Sequence, residues 1–422
     1  MRQTIQLLLL VAFLLMACQV SAEVVDDTED DVFHIDLFVV EETPESGETQ
    51  APSETLAISP VASPAPVQTP ALPTATYRPS DNPQSEVGED ELLLSFVGDC
   101  SIGDTIKVIK RKNTMTGMIA ENGPEWLFST VSDIFHADDF TFANLESVLT
   151  DRMAPLYPAK VYNFLGPSSH REVIAASGID GINTVNNHCT DFKYDGYKDT
   201  LANLEAIDVV HFGTLNPFRD TNSFKDLGRI EIKGVKIGIT GYSYPDDKVF
   251  PCIEEDIRLL REEGCQIVIV SLHWGTEKKT VPDKKQFPYA KKVLDAGADV
   301  LWVHHPHVIQ PVYFYDGKPI FFSTGNFVFS QIQAMDDSSG IFQLKWDIHT
   351  DGTVTLKQFE MIPTMVRHNR EYRPLLLEDT KDKQRVWKRI IGSDKEGFVR
   401  LPDAFGETGK VLIDEDGTLR VP

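Results

Sequence analysis

From Leu92 onward, short apolar runs alternate with amphipathic stretches of about ten to fifteen residues, and this alternation narrows the available folds more than any other feature. LLLSFV (92–97), FTFAN (140–144), GINTV (181–185), DVVHF (208–212), QIVIVSL (266–272) and DVLWV (299–303) read as strands covered on both faces. Between them PEWLFSTVSDIF (124–135), SSHREVIAAS (168–177), YDGYKDTLANLEA (194–206) and segments 253–263 and 283–296 read as helices. Such an order predicts an α/β fold with a parallel sheet built from βαβ units. Turn dipeptides at Lys233-Gly234, Asp316-Gly317 and Asp351-Gly352 add hairpins and make the C-terminal half hairpin-rich. One domain over 91–375 accounts for this pattern; 376–422 is a C-terminal extension whose packing the pattern leaves open.

The residues that follow each inner strand carry the chemistry. Gly98-Asp99 follows the first, Asn144-Leu145-Glu146 the second, Asn186-Asn187-His188 the third, His273-Trp274-Gly275 the fourth, and His304-His305-Pro306-His307 the fifth. The ligand crevice of an open α/β sheet lies beyond the carboxyl ends of its strands, so these groups are expected to converge there. Only 11 histidines occur in 422 residues, yet three of them fall within four positions. A mixture of carboxylate, amide and imidazole suits one or two divalent ions such as Mn²⁺, Zn²⁺ or Fe²⁺ rather than a thiolate site. Two ions about 4 Å apart make water a nucleophile at neutral pH and stabilise in-line displacement at phosphorus.

In these residues the chain resembles the poly-γ-glutamate capsule-synthesis (CapA) family, itself similar to the calcineurin-like metallophosphoesterases. The matching pieces are FVGD (96–99), ANLES (143–147), NTVNNHCTD (183–191), SLHWG with Glu277 (271–277), HHPHVIQ (304–310) and FSTGNFVFS (322–330). Each is short, but they occur in the family's order over 92–330. The resemblance implies a metallophosphoesterase-like αββα sandwich. It implies metal ligation by Asp99, Glu146 in the bridging place, Asn187, His273, His305 and His307, with His188 as a general acid of near-neutral pKa. Asn144, Asp191 and Asn326 would orient those ligands from behind. Ser101 stands where metallophosphoesterases usually place a histidine, and the bridging residue is a glutamate rather than an aspartate.

Plainer readings compete at several positions. Asp99 could cap a helix and Asn186, Asn187 or Asn326 could end a strand. Strand alternation puts His304 and His305 on opposite faces, which makes His304 the core histidine. Phe142, Phe164 and Trp302 read as core. Lys278, Lys279, Lys284, Lys285, Lys291 and Lys292 form either an electropositive rim or a solvated helix face. Cys252 and Cys265 flank a helix whose ends stand ~18 Å apart, too far to bridge, and no disulfide framework is expected.

Residues 1–22, MRQTIQLLLLVAFLLMACQVSA, have the anatomy of an export signal. Leu15-Met16-Ala17-Cys18 resembles a lipobox, which makes Cys18 the lipidated residue and the protein an extracytoplasmic lipoprotein on the cell membrane; cleavage after Val20-Ser21-Ala22 is the alternative and would secrete it. Residues 23–91 hold 17 acidic residues, nine prolines and one basic residue, Arg78. That composition predicts a disordered spacer over 23–90, averaging ~45 Å end to end. With a net charge of −24, nucleic acid is excluded as a partner. The expected partners are an anionic surface polymer or a phosphorylated envelope substrate, with capsule-synthesis membrane proteins beside it. Two functions remain open: a capsule-assembly factor using a metal site, and a metal-dependent phosphoesterase-type hydrolase.

Overall fold

The uninterrupted apolar runs become strands whose alternate side chains enter two different cores. The computed structural model describes residues 87–155, 160–217, 224–330, 337–366, 371–395 and 397–421. The signal segment 1–22 with Cys18, and the spacer as far as residue 86, lie outside the described residues. The principal strands are β1 (Glu91–Cys100), β2 (Phe140–Leu145), β3 (Gly181–Asn183), β4 (Val210–Leu215), β5 (Gly228–Ile232), β6 (Val235–Ser243), β7 (Ile267–His273), β8 (Val300–His304), β9 (Val312–Tyr315), β10 (Lys318–Phe321), β11 (Asn326–Val328), β12 (Ser338–Ile348) and β13 (Val354–Val366). Helices of eight or more described residues are α1 (Met115–Asn122), α2 (Lys193–Glu205), α3 (Phe250–Glu262), α4 (Gln286–Asp295) and α5 (Thr380–Ile390).

Two sheets stack face to face. In the first, β1, β2, β3 and β4 run parallel in that order, and β12 and β13 continue antiparallel on the other side of β1. In the second, β6, β7, β8 and β10 are parallel, with β5 and β9 as antiparallel partners. Along β7, Ile267 and Ile269 enter the core between the sheets, whereas Val268, Val270 and Leu272 enter the one beneath α3 and α4. The alternation on β8 is the same: Val300 and Trp302 face the first core, Leu301 and Val303 the second. On the far side of the first sheet, Met115 and Ile119 of α1 pack with Val97, Ala143 and Leu145. The layers are therefore helix, sheet, sheet, helix. No helix of the described residues is long and apolar enough to cross a membrane.

Aromatic rings tie the sheets together. Phe96 stacks on Phe142 at 5.0 Å between centroids and meets Trp302 edge-on at 5.6 Å and Phe321 at 5.8 Å. Truncating any of these to alanine would cost ~3–5 kcal/mol. Phe164 is buried too, but against the His188 ring at 4.7 Å rather than between the sheets.

Several local expectations change. The single helix expected over 124–135 is a 3₁₀ turn, Pro124–Phe128, and a short α-helix, Ser132–Ala137. Between them Val131 leaves helical geometry with φ −134°, which buries its side chain at the cost of continuity. The helix expected at 168–177 likewise starts as a 3₁₀ turn and is α-helical only over Arg171–Ala175. The strand expected at 208–212 is β4, beginning at Val210, because Asp208 is left-handed (φ 55°). Two of the three hairpin dipeptides have both residues left-handed, with φ 50° and 77° at Lys233-Gly234 and 50° and 70° at Asp316-Gly317, whereas at Asp351-Gly352 only the glycine is (φ 84°).

Residues beyond 375 extend both sheets. Lys410–Ile413 pairs with β13, and Val399–Arg400 pairs with β9. Helix α5, capped by the Asp379 side chain, lays Val386, Trp387 and Ile390 on the core between the sheets. Trp387 Nε1–H donates to the Met361 carbonyl at 3.1 Å.

Candidate metal centre

The first sheet delivers a carboxylate through a bulge. Pairing between β1 and β2 slips between Phe96 and Asp99, and the chain then passes hard against the turn before β11. A Cβ at Gly98 would stand 1.9 Å from the Gly325 carbonyl oxygen, so only glycine fits; the next amide, of Asp99, donates to that same oxygen at 2.9 Å. Asp99 is thereby fixed, fully buried, at the end of β1.

Behind it lies an amide relay. Asn144 Nδ2–H donates to Asp99 Oδ1 at 2.7 Å, and Asn144 Oδ1 accepts from Asn183 at 2.8 Å and Asn186 at 3.3 Å. Asn186 also donates to the Leu145 carbonyl at 2.8 Å, which holds the segment that ends in Glu146. Asn187, next in line, presents a buried Oδ1 with no hydrogen-bond partner among the described residues.

The second sheet delivers the imidazoles. His273 ends β7 and His304 ends β8, side by side in register. Alternation places His304 on the face shared with Trp302, towards the first sheet, with Nδ1 3.3 Å from Asp99 Oδ1. His304 is fully buried against the Trp302 ring, as a core histidine would be, and belongs to none of the ligand groups among the described residues that could hold an ion; its contact with Asp99 steadies that carboxylate. His305 returns to the pocket only because its backbone is left-handed (φ 93°), and His307 is left-handed as well (φ 57°). Two such non-glycine residues in one four-residue turn cost of order 1–3 kcal/mol each. His307 Nδ1 faces Asn326 Oδ1 at 2.9 Å and Asp99 Oδ2 at 3.3 Å, two acceptors that keep the proton there and turn Nε2 inward.

Glu146 is the centre of the set. Its Oε1 lies 3.6 Å from His307 Nε2, 3.7 Å from His273 Nε2 and 3.9 Å from His188 Nε2. Two ligands each ~2.1 Å from one ion stand about 3–4 Å apart, so these separations fit a cation between them. Ligand atoms of Asp99, Glu146 and His307, and those of Glu146, His273 and His305, form groups whose members all lie within 4.8 Å of one another. Both Glu146 oxygens, His273 Nε2 and His305 Nδ1 are buried without hydrogen-bond partners among the described residues. Unpaired buried polar atoms are rare because each costs ~1–3 kcal/mol; four converging on one point are what a cation site requires.

The electrostatics agree. Burial holds His273 well below the usual histidine range, and burial with the neighbouring His307 pushes His305 down to about 3, which leaves both neutral and able to ligate. Burial drives Glu146 well above the carboxylate range, Asp99 adding to the rise and His307 opposing it. At His307 burial acts downward, but Glu146 and Asp99 prevail and its pKa is pushed up to about 10. Without a metal, a proton on His307 is the positive charge these carboxylates recruit.

His188 approaches from the opposite side. Its Nδ1 meets Asp191 Oδ2 at 2.8 Å, leaving Nε2 towards Glu146. Asp191 is itself held by Lys160 Nζ at 2.7 Å and by the Phe164 amide at 2.9 Å. Sequence reasoning missed Lys160, which follows no strand, and Tyr244, whose hydroxyl lies 3.3 Å from His305 Nε2. It also passed over Asn183 as the anchor of Asn144. The lysine rim is half cancelled: Lys279, Lys291 and Lys292 pair with Asp283, Asp295 and Asp247. Cys100 and Cys189, beside the site, are free thiols whose pKa burial raises, to about 12 for Cys189.

Known proteins are similar to this chain in sequence. The chain is 26% identical over 324 residues to "PGA biosynthesis protein CapA" of Bacillus subtilis, covering 71% of this chain and 80% of that protein. It is 26% identical over 329 residues to "Capsule biosynthesis protein CapA" of Bacillus anthracis, covering 73% and 75%. A family profile described as "Bacterial capsule synthesis protein PGA_cap" matches residues 93–331, the span from β1 to just past β11 that contains every residue of the pocket. The chain belongs to the bacterial capsule synthesis protein PGA_cap family.

Proposed function

We propose that this protein takes part in synthesis, export or anchoring of poly-γ-glutamate or a similar anionic capsule polymer, outside the cell membrane, through a divalent-cation pocket. Asp99, Glu146, Asn187, His273, His305 and His307 would hold the ion or ions, with Asn144, Asp191 and Asn326 orienting them. The observation that carries this reading is Glu146 Oε1, faced by three imidazole nitrogens and bonded to none. The names of the Bacillus relatives support the polymer. Charge supports the need for a metal: a polyanion and a chain of net charge −24 repel each other, so contact requires a local cation. Mn²⁺, Zn²⁺ or Fe²⁺ bound here supplies Lewis acidity towards a carbonyl or phosphoryl oxygen. Lipidation at Cys18 would tether the domain to the membrane beside the polymer-synthesis proteins.

The test is polymer binding by purified protein together with elemental analysis. Binding is expected to disappear on chelation, to return with Mn²⁺, and to be absent in His273→Ala. Binding that survives both chelation and the substitution refutes the reading.

The His188–Asp191 pair favours a second reading, hydrolysis or transfer at a phosphoester or acyl linkage. Asp191, which is paired with Lys160, accepts the Nδ1 proton, and burial holds the His188 pKa below the ordinary histidine value. Nε2 therefore presents a lone pair that would first take a proton from the attacking water and then pass it to a leaving oxygen. Turnover of an aryl phosphate with added Mn²⁺, lost in His188→Ala, would support it; equal turnover by that variant would remove His188 from the chemistry.

A further inference from the structure

Basic side chains at many places in the fold are neutralised: Arg229, Lys233, Arg258 and Arg261 each pair with a carboxylate. The turn that follows Thr105 breaks that pattern. Lys107, Lys110, Arg111 and Lys112 are all exposed, no acidic residue falls between Thr105 and Ala120, and none of the four makes an ion pair among the described residues. The fold fixes them outward. Ile109 is buried with Val148, Leu165 and Phe192, and Ile106 packs against the same cluster. Ile109 N–H donates to the Thr105 carbonyl at 3.1 Å and Arg111 N–H to the Val108 carbonyl at 2.8 Å. The exit of the turn is tied by the Thr114 hydroxyl donating to the Arg111 carbonyl at 2.7 Å, and by the Met115 and Thr116 amides donating to buried Asp104 at 3.3 and 2.8 Å. With both isoleucines turned inward, the four cationic side chains face water.

The turn is also joined to the pocket. Thr105 is paired with Phe164, whose ring lies 4.7 Å from that of His188 and whose amide donates to Asp191. Ile106 N–H donates to the Asn163 carbonyl at 3.0 Å, and Asn163 Nδ2–H to the carbonyl of Lys160, the residue that holds Asp191. Paired strand residues stand ~5 Å apart and successive Cα atoms ~3.8 Å, so the Lys107 Cα lies within ~13 Å of that of Phe164. Val161 and Tyr162, next to Asn163, are exposed and add an apolar ledge beside the cations.

We propose that the 107–112 turn is a docking surface for a flexible polycarboxylate chain. While one carboxylate is held at the cation pocket, Lys107, Lys110, Arg111 and Lys112 pair with carboxylates further along the same chain, whose methylene groups suit the ledge at Val161 and Tyr162. This rests on the reading that the pocket binds such a polymer. A narrow strand of carboxylates can follow the turn alone, whereas a flat anionic bilayer laid against it would also meet the rest of a chain of net charge −24. Exposed ion pairs are individually weak and screened by salt, so the turn does not hold the polymer by itself; it tightens a contact begun at the pocket.

The experiment is calorimetric titration of the Mn²⁺-loaded full chain with long poly-γ-glutamate and with γ-glutamylglutamate, which is too short to reach from the pocket to the turn. The variant combines Lys107→Gln, Lys110→Gln, Arg111→Gln and Lys112→Gln, all exposed. It is expected to keep the metal content and the dipeptide affinity of the wild type, to bind the long polymer ~10–100-fold more weakly, and to lose most of the salt dependence. Lys107→Arg, Lys110→Arg and Lys112→Arg together should bind like the wild type, since only charge is asked of these groups. Equal polymer affinity and salt dependence in the glutamine variant, or equal weakening for both probes, would overturn the docking surface and leave the pocket reading standing. So would wild-type binding to phosphatidylglycerol vesicles that the variant loses while its polymer binding is unchanged, which would assign the turn to a membrane. No polymer binding by the wild type would overturn both.

Discussion

Replacing Glu146 by glutamine keeps the shape and removes the charge, and its effect on stability should change sign with the metal. Glu146 is fully buried and neither oxygen has a hydrogen-bond partner among the described residues, a deficit of ~1–3 kcal/mol. Burial raises its pKa on folding. A carboxyl raised in this way opposes folding above its unfolded value of 4.5, increasingly so as the pH climbs towards the folded value. In chelator at neutral pH, Glu146→Gln is therefore expected to stabilise the protein by about 1 kcal/mol, or ~2 °C in melting temperature for a domain of this size. It should also flatten the fall in wild-type stability between pH 5 and 8. With Mn²⁺ at ~100 times its dissociation constant the wild type gains about 2.7 kcal/mol, and a variant without the central ligand gains almost none. The order of the two proteins thus inverts. Scanning calorimetry of both, in chelator and in Mn²⁺ at three pH values, measures every arm. A variant less stable than wild type in chelator and equally stabilised by Mn²⁺ would show that Glu146 neither suffers unpaired burial nor holds the ion.

Three further outcomes are expected. Asn144→Ala removes the donor to Asp99 and the acceptor for Asn183 and Asn186, and should weaken Mn²⁺ binding 10–100-fold while costing ~1–3 kcal/mol, read by titration and urea unfolding. His188→Ala should keep the metal content of the wild type yet lower any turnover by ~10²–10⁴; a loss of metal would recast His188 as a ligand. Trp387→Ala should cost ~3–5 kcal/mol in a single cooperative transition, because α5 closes the core between the sheets; an early, separate transition for the C-terminal region would refute that.

Much of the site was legible because strand ends are local features. Asp99, Glu146 and His273 each follow an apolar run, and the carboxyl ends of parallel strands share one edge of the fold. What escaped depends on backbone signs and on loops. His305, on the face opposite to His304, reaches the pocket because a left-handed residue turns it back. Lys160 comes from a loop whose course no periodicity reveals, whereas Tyr244 directly follows β6 and was passed over because that strand was read only as half of a hairpin. The helix expected at 124–135 failed because burying Val131 outweighed helical continuity.

By itself, the order of apolar runs and the polar groups that end them determined a layered α/β domain with a cation-suited mixture of ligands along one edge. Those are consequences of side-chain periodicity and of parallel strands sharing a direction, and both are written within a few residues. Only the tertiary structure decided which oxygen and nitrogen atoms stand within reach of Glu146, which histidine faces inward, and that the chain beyond residue 375 completes both sheets. Those outcomes depend on how two sheets stack and how far their connecting loops reach, which are set by contacts between segments more than a hundred residues apart.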